Sequence, residues 1–133
     1  MTLTILGAGV LAAAGLVLAV AVGAQPAALT RTILQRADLS APGREAVMAR
    51  AEFPSEGSTT GRHTRPGEEV GYMLAGTMRR EVEGQAPRNL KAGDVFIIPA
   101  ETIHNAVSTD TAVVRVLVTY VVEKGKPVTT AAP

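Results

Sequence analysis

From Arg44 onward, apolar and polar residues alternate with a period of two rather than 3.6. In residues 46–53, Val47, Ala49, Ala51 and Phe53 alternate with Met48, Arg50 and Glu52. In residues 112–122, Val114, Val116, Val118, Tyr120 and Val122 share one face, and Val113, Arg115, Leu117, Thr119 and Val121 share the other. Both patterns predict strands, the second buried on nearly both sides. Residues 78–83 read as a polar strand with its charges facing out, and residues 95–98 as a short apolar strand. Phe96, Ile98, Val114, Val116 and Leu117 are the expected core. Turn signals are frequent. Pro66-Gly67 has the chemistry of a type II turn, and Gly76, Gly84, Gly93 and Pro99 end short runs. No helical stripe follows residue 44. Short strands with regular turn signals predict an all-β sandwich or barrel.

The front of the chain differs from the rest. No Lys, Arg, Asp or Glu precedes Arg31, and residues 5–24 form an uncharged apolar run of 20 residues. Two readings fit it. Val22-Gly23-Ala24 offers a small-residue cleavage site for a secretory signal. The run is also long enough for an uncleaved transmembrane anchor. Either reading puts the remainder outside the cytoplasm: periplasmic or secreted after cleavage, membrane-attached through residues 5–24 otherwise. The expected organisation is a signal or anchor helix over 1–24, a flexible lead-in over 25–43, a β-domain over 44–123 and a frayed tail over 124–133.

Composition removes several function classes. The chain has 133 residues, which is one domain by length. With no cysteine there is no disulfide framework, thiolate metal site or cysteine nucleophile. A net charge of +1 gives no basic footprint for nucleic acid. Aromatics at 3%, with no Trp, leave no stacking platform for single strands. Neither a Gly-x-Ser-x-Gly nucleophile elbow nor a phosphate-binding Gly-x-x-x-x-Gly-Lys-Ser/Thr occurs.

Candidate chemistry gathers around the two histidines, His63 and His104. A lone histidine is more often structural than a ligand, so what matters is the company each keeps. His63 and Arg65 are two apart and share a strand face. A turn at Pro66-Gly67 would return the chain as a hairpin, with Glu68 or Glu69 facing the same way as His63. Adjacent carboxylates are commonly a solvated pair, and on a strand only one of these two can point inward. His104 follows an apolar strand and a Pro-marked corner. Of Tyr72 and Met73 on the returning strand, one is expected to line the interior. Asn105 is expected to point away from His104.

These spacings resemble the two sequence motifs of the cupin superfamily. In the first, Gly57 is followed by five residues and His63, then Arg65, Glu69 and Gly76. In the second, Gly93 is followed by five residues and Pro99, then Glu101, His104 and Ser108. The resemblance spans roughly residues 45–122. It implies a double-stranded β-helix, or jelly-roll barrel, that holds a divalent metal (Fe, Mn, Ni or Zn) inside. His63, Glu69 and His104 are the ligands it implies.

The chain departs from the motif where Arg65 stands in place of the second histidine. A guanidinium has no lone pair and cannot ligate a cation. Three arrangements stay open. His63, Glu69 and His104 could form a three-ligand site with Arg65 turned to solvent or a substrate; two His and a carboxylate suit Fe(II) oxygenases, and zinc equally. Arg65 could instead pair with Glu69 or Glu68 and occupy the metal position, leaving a metal-free barrel that binds an anion. Or the site is degenerate and only structural. The first arrangement implies a metal-dependent, dioxygenase-like oxidoreductase or a binder of a small organic molecule, with Arg65 and Tyr72 as substrate-binding residues. The resemblance further implies a homodimer. No nucleic-acid partner is expected, and membrane contact only through the N-terminal segment.

Overall fold

The computed structural model describes residues 27–133; the predicted signal or anchor segment lies outside them. Ten strands follow in chain order: β1 (Thr30–Asp38), β2 (Arg44–Phe53), β3 (His63–Thr64), β4 (Gly67–Ala75), β5 (Thr77–Val82), β6 (Arg88–Lys91), β7 (Val95–Ile98), β8 (His104–Ser108), β9 (Val114–Glu123) and β10 (Thr130–Ala131). They form two five-stranded antiparallel sheets, ordered β1-β2-β9-β4-β7 and β10-β3-β8-β5-β6. The described residues hold no helix, as the period-two pattern predicts.

Alternation builds the interior. Val47, Ala49, Ala51 and Phe53 of β2 and Val114, Val116, Val118, Tyr120 and Val122 of β9 are buried. They meet Met78 and Val82 of β5 and Leu90 of β6, which come from the second sheet. Phe96 and Ile98 of β7 complete the core, while their neighbours Val95 and Ile97 face out at 62% and 66% exposure. A period of two sends each apolar neighbour to the opposite face.

Several expectations are corrected. Leu117 is half-buried on the outer face of β9, so that strand has one buried side and not two. Residues 30–38 of the expected lead-in form β1, paired with β2 from Thr30↔Glu52 to Asp38↔Glu45. Backbone pairing with a long neighbour, rather than its own burial, holds this polar strand. The expected frayed tail contains β10, which pairs with β3 as Thr130↔Thr64 and Ala131↔His63. Pro66-Gly67 does not close a hairpin either. β3 pairs with β8 and β10, β4 pairs with β9 and β7, so the chain crosses from one sheet to the other at Pro66. Gly67 has no positive φ. It is needed for space: a Cβ there would lie 1.8 Å from the carbonyl oxygen of Val121.

The second motif carries a local strain. Glu101, where the family pattern has glycine, sits at φ 58°. A non-glycine residue there costs about 1–3 kcal/mol and is held by its surroundings. The backbone N–H of Glu101 donates to the Arg65 carbonyl at 2.9 Å, tying the second motif to the first.

Candidate metal centre

His63 and His104 are a register pair on adjacent strands β3 and β8. Their rings lie 4.1 Å apart, tilted by 54°. Glu69 comes from β4 of the other sheet, where Gly67, Glu69, Gly71 and Met73 face in and Glu68, Val70, Tyr72 and Leu74 face out. The three side chains are buried, and one ligand atom from each lies within 4.8 Å of the others. Inward Glu69 and outward Glu68 follow the alternation expected of a strand pair.

The ring nitrogens are oriented by the backbone. His63 Nδ1 donates to the Gly61 carbonyl at 2.8 Å, and His104 Nδ1 donates to the Thr102 carbonyl at 2.8 Å. A carbonyl only accepts, so each Nδ1 carries a proton and each Nε2 is the nitrogen turned toward the cluster. That is the tautomer a metal-ligating imidazole adopts, with its other nitrogen fixed by a carbonyl. His63 Nε2 is buried and has no hydrogen-bond partner among the described residues. His104 Nε2 lies 3.1 Å from Glu69 Oε2. Two acceptors at that distance need a shared positive centre, either a proton on Nε2 or a cation.

Arg65 faces inward. Its Nε donates to Glu69 Oε2 at 2.5 Å. Its Nη1 donates to Thr129 Oγ1 at 2.6 Å and to the Val128 carbonyl at 3.2 Å, both in the C-terminal segment. The guanidinium carbon stands 4.0 Å from the Tyr120 ring centre, within cation–π range. Arg65 is thus committed to protein partners and is not turned to a substrate. Tyr72, the other expected substrate contact, is 45% exposed on the outer face of β4; Met73 is the one that faces in.

Electrostatics follow from burial and neighbours. Desolvation lowers the pKa of His63 to about 4, helped by the charges of His104 and Arg65. Burial pushes the Glu69 carboxyl up. The hydrogen bond from His104 and the charge of Arg65 outweigh it and hold the carboxyl down at about 2. At neutral pH the cluster therefore offers a neutral His63 and an ionised Glu69, which are ligand forms.

The residues fit a divalent metal. Two imidazole Nε2 atoms and a carboxylate converge in a buried pocket, and the lone pair on His63 Nε2 has no other use among the described residues. Arg65 donates to Glu69 Oε2, the oxygen that His104 Nε2 also meets. The cavity around the cluster, about 30 Å³, is also lined by Phe53, Met78, Phe96, Val116 and Tyr120. Three lining residues escaped the sequence reading. Arg80 was placed on a strand with its charges out, yet it alternates with Met78 and Val82 and faces in. Arg31 belongs to the strand read as lead-in, and Asn105, expected to point away, also borders the cavity. The alternation Met78-x-Arg80-x-Val82 was the signal for Arg80.

Residues 49–120 match the family model of the cupin domain, more than half of the chain. The chain belongs to the cupin family. Solved structures with the same fold include a DMSP lyase from Ruegeria pomeroyi, with 24% identity and a TM-score of 0.59, covering 65% of this chain and 43% of that one. A cupin superfamily protein from Desulfitobacterium hafniense has 17% identity and a TM-score of 0.60, covering 71% of this chain and 78% of that one. An oxalate oxidase in complex with the substrate analogue glycolate has 22% identity and a TM-score of 0.58, covering 66% of this chain and 46% of that one. This cupin spans less than half the length of the lyase and the oxidase it matches. At these identities the likeness is one of fold. No curated protein matches the sequence.

Proposed function

We propose that this cupin binds one divalent metal ion through His63, Glu69 and His104 and takes a small organic molecule in the barrel beside it. The observation that carries this reading is His63 Nε2, a buried lone pair with no donor among the described residues, fixed by its Nδ1 bond to point at Glu69 and His104. Leaving such a group unpaired costs stability, and a cation would satisfy it. Two His and one carboxylate leave open positions, the set of Fe(II) oxygenases and equally an allowed one for zinc. Bound there, the metal supplies Lewis acidity toward a ligand oxygen. The chain's own residues do the rest. Gly61 and Thr102 carbonyls fix the imidazole tautomers, Arg65 and His104 keep Glu69 ionised, and the apolar walls exclude water. We assign an oxygenase-type reaction as the enzymatic form of this reading, and export as its setting.

A second reading is favoured by the Arg65–Glu69 contact: a metal-free barrel in which the guanidinium supplies the positive charge. Metal analysis separates the two. After incubation with Fe(II), Mn(II), Ni(II) or Zn(II) and desalting, the first reading expects about one equivalent of a metal. His63→Ala and His104→Ala would each abolish it. No retained metal under any condition would leave the metal-free barrel as the function.

A further inference from the structure

Two more guanidinium groups line the same cavity, and neither belongs to the metal cluster. Among the described residues bordering it, Arg31, Arg65 and Arg80 bring three positive charges, and Glu69 is the one carboxylate. Arg65 already uses Glu69. Arg80 is 5% exposed, and its Nε and Nη1 are buried with no acceptor among the described residues. Arg31 Nε is likewise buried with none among the described residues, although its guanidinium also lies 5.8 Å from the Tyr120 ring centre. The nearby carboxylates of Glu81 and Glu83 are engaged on the outside by Arg79 and Arg62. The Arg80 guanidinium carbon lies 5.2 Å from the Phe96 ring centre. Gly71 makes that support available, because a Cβ there would lie 2.1 Å from the Phe96 ring. The cavity wall therefore holds a supported, desolvated cation with free donors.

We propose that Arg80, with Arg31 adding charge, is an anion clamp for the carboxylate of a small organic acid in the barrel. A buried charge left unpaired is strongly unfavourable, so a counter-charge is expected where the protein retains one. A planar guanidinium with free N–H groups matches a carboxylate better than a spherical ion. Apolar walls at Phe53, Met78 and Val116 suit the carbon part of the same ligand. The small volume restricts it to a few non-hydrogen atoms. This names the ligand class for the site proposed above and rests on that reading only in sharing its cavity; Arg80 holds the anion whether or not a metal is present.

The test is calorimetric titration of acetate and, separately, chloride into the purified protein, metal-stripped and metal-loaded, with Arg80→Gln and Arg80→Lys alongside. Acetate should bind the wild type. R80Q should weaken it by at least about tenfold, and R80K, which keeps the charge but loses the planar fork, by a smaller factor. R80K carries the test should R80Q fail to fold. Metal content, measured on the same samples, should not change in R80Q. Acetate binding that depends on Arg80 in protein that takes no metal would sink the metal reading and leave the clamp standing. The clamp is overturned by no acetate binding to the wild type in either form, or by acetate affinities within twofold across the three proteins. Chloride binding as tightly as acetate and lost equally in R80Q would overturn the carboxylate assignment.

Discussion

His63 and Glu69 make the pH behaviour of the metal-free barrel a matter of two side chains. The pKa of His63 is depressed from 6.5 to about 4 by burial. Between those values the unfolded chain binds a proton that the folded chain does not, so stability rises with pH across the window and is lost as pH falls from 6.5 to 4. The loss is on the order of 3 kcal/mol at one site, from about 1.4 kcal/mol per unit. Glu69, held at about 2 against an ordinary 4.5, extends the decline below pH 4.5. Urea titrations between pH 7 and 3 should show stability falling in that order, and His63→Gln should flatten the upper part. A profile unchanged by that substitution would show that His63 is not buried as described. Single residues were also where the sequence was most legible. Strand alternation allows only one of Glu68 and Glu69 to face inward, and the family motif spacing picked out Glu69 together with His63 and His104. Arg80 was missed because an arginine in a polar run reads as solvent-facing. Only the identity of its neighbours Met78 and Val82 says otherwise.

Among the elements, the C-terminal segment has the largest role not visible in its composition. Thr129 and Val128 accept from Arg65, Val128 packs on the core, and β10 extends the second sheet through β3. Hydrogen bonds to charged groups contribute roughly 1.5–3 kcal/mol each. Ending the chain after Lys126 should therefore lower the melting temperature by several degrees, while Thr129→Ala alone should give a smaller loss. Differential scanning calorimetry reads both, and equal melting temperatures for all three chains would remove the segment from the account of Arg65. Little in residues 124–133 foretold this, because a two-residue strand leaves no periodicity and its partners are some 65 residues away in sequence. β1 escaped for a related reason: it is almost wholly exposed, so its sequence carries no apolar stripe. Among the strands that bury an apolar face, β2, β7 and β9 were legible close to their ends.

At the scale of the whole molecule, the cluster joins the two sheets. Glu69 belongs to β4 of the first, and His63 and His104 to β3 and β8 of the second. A ligand held by all three ties the folded state together and not the unfolded one, so it stabilises by mass action. A free metal concentration 100 times its dissociation constant adds about 2.7 kcal/mol. The wild-type melting temperature should thus rise with added metal and return on chelation, with no such response in His104→Ala; thermal denaturation checks it. The barrel itself was legible in the alternation and the motif glycines. The crossing at Pro66 was not, because a Pro-Gly pair looks alike whether the chain folds back beside itself or passes to the opposite sheet.

The strand that carries His63 is only two residues long and meets β8 through a single register pair, His63↔His104. β8 and β4 are anchored along five and nine residues. The best-poised ligand thus rides on the shortest of the three ligand strands, flanked by the Thr59↔Val107 bridge and by β10, and local opening begins where few hydrogen bonds must break. Were a cation held there, lifting β3 together with β10 would release His63 from it before His104 and Glu69.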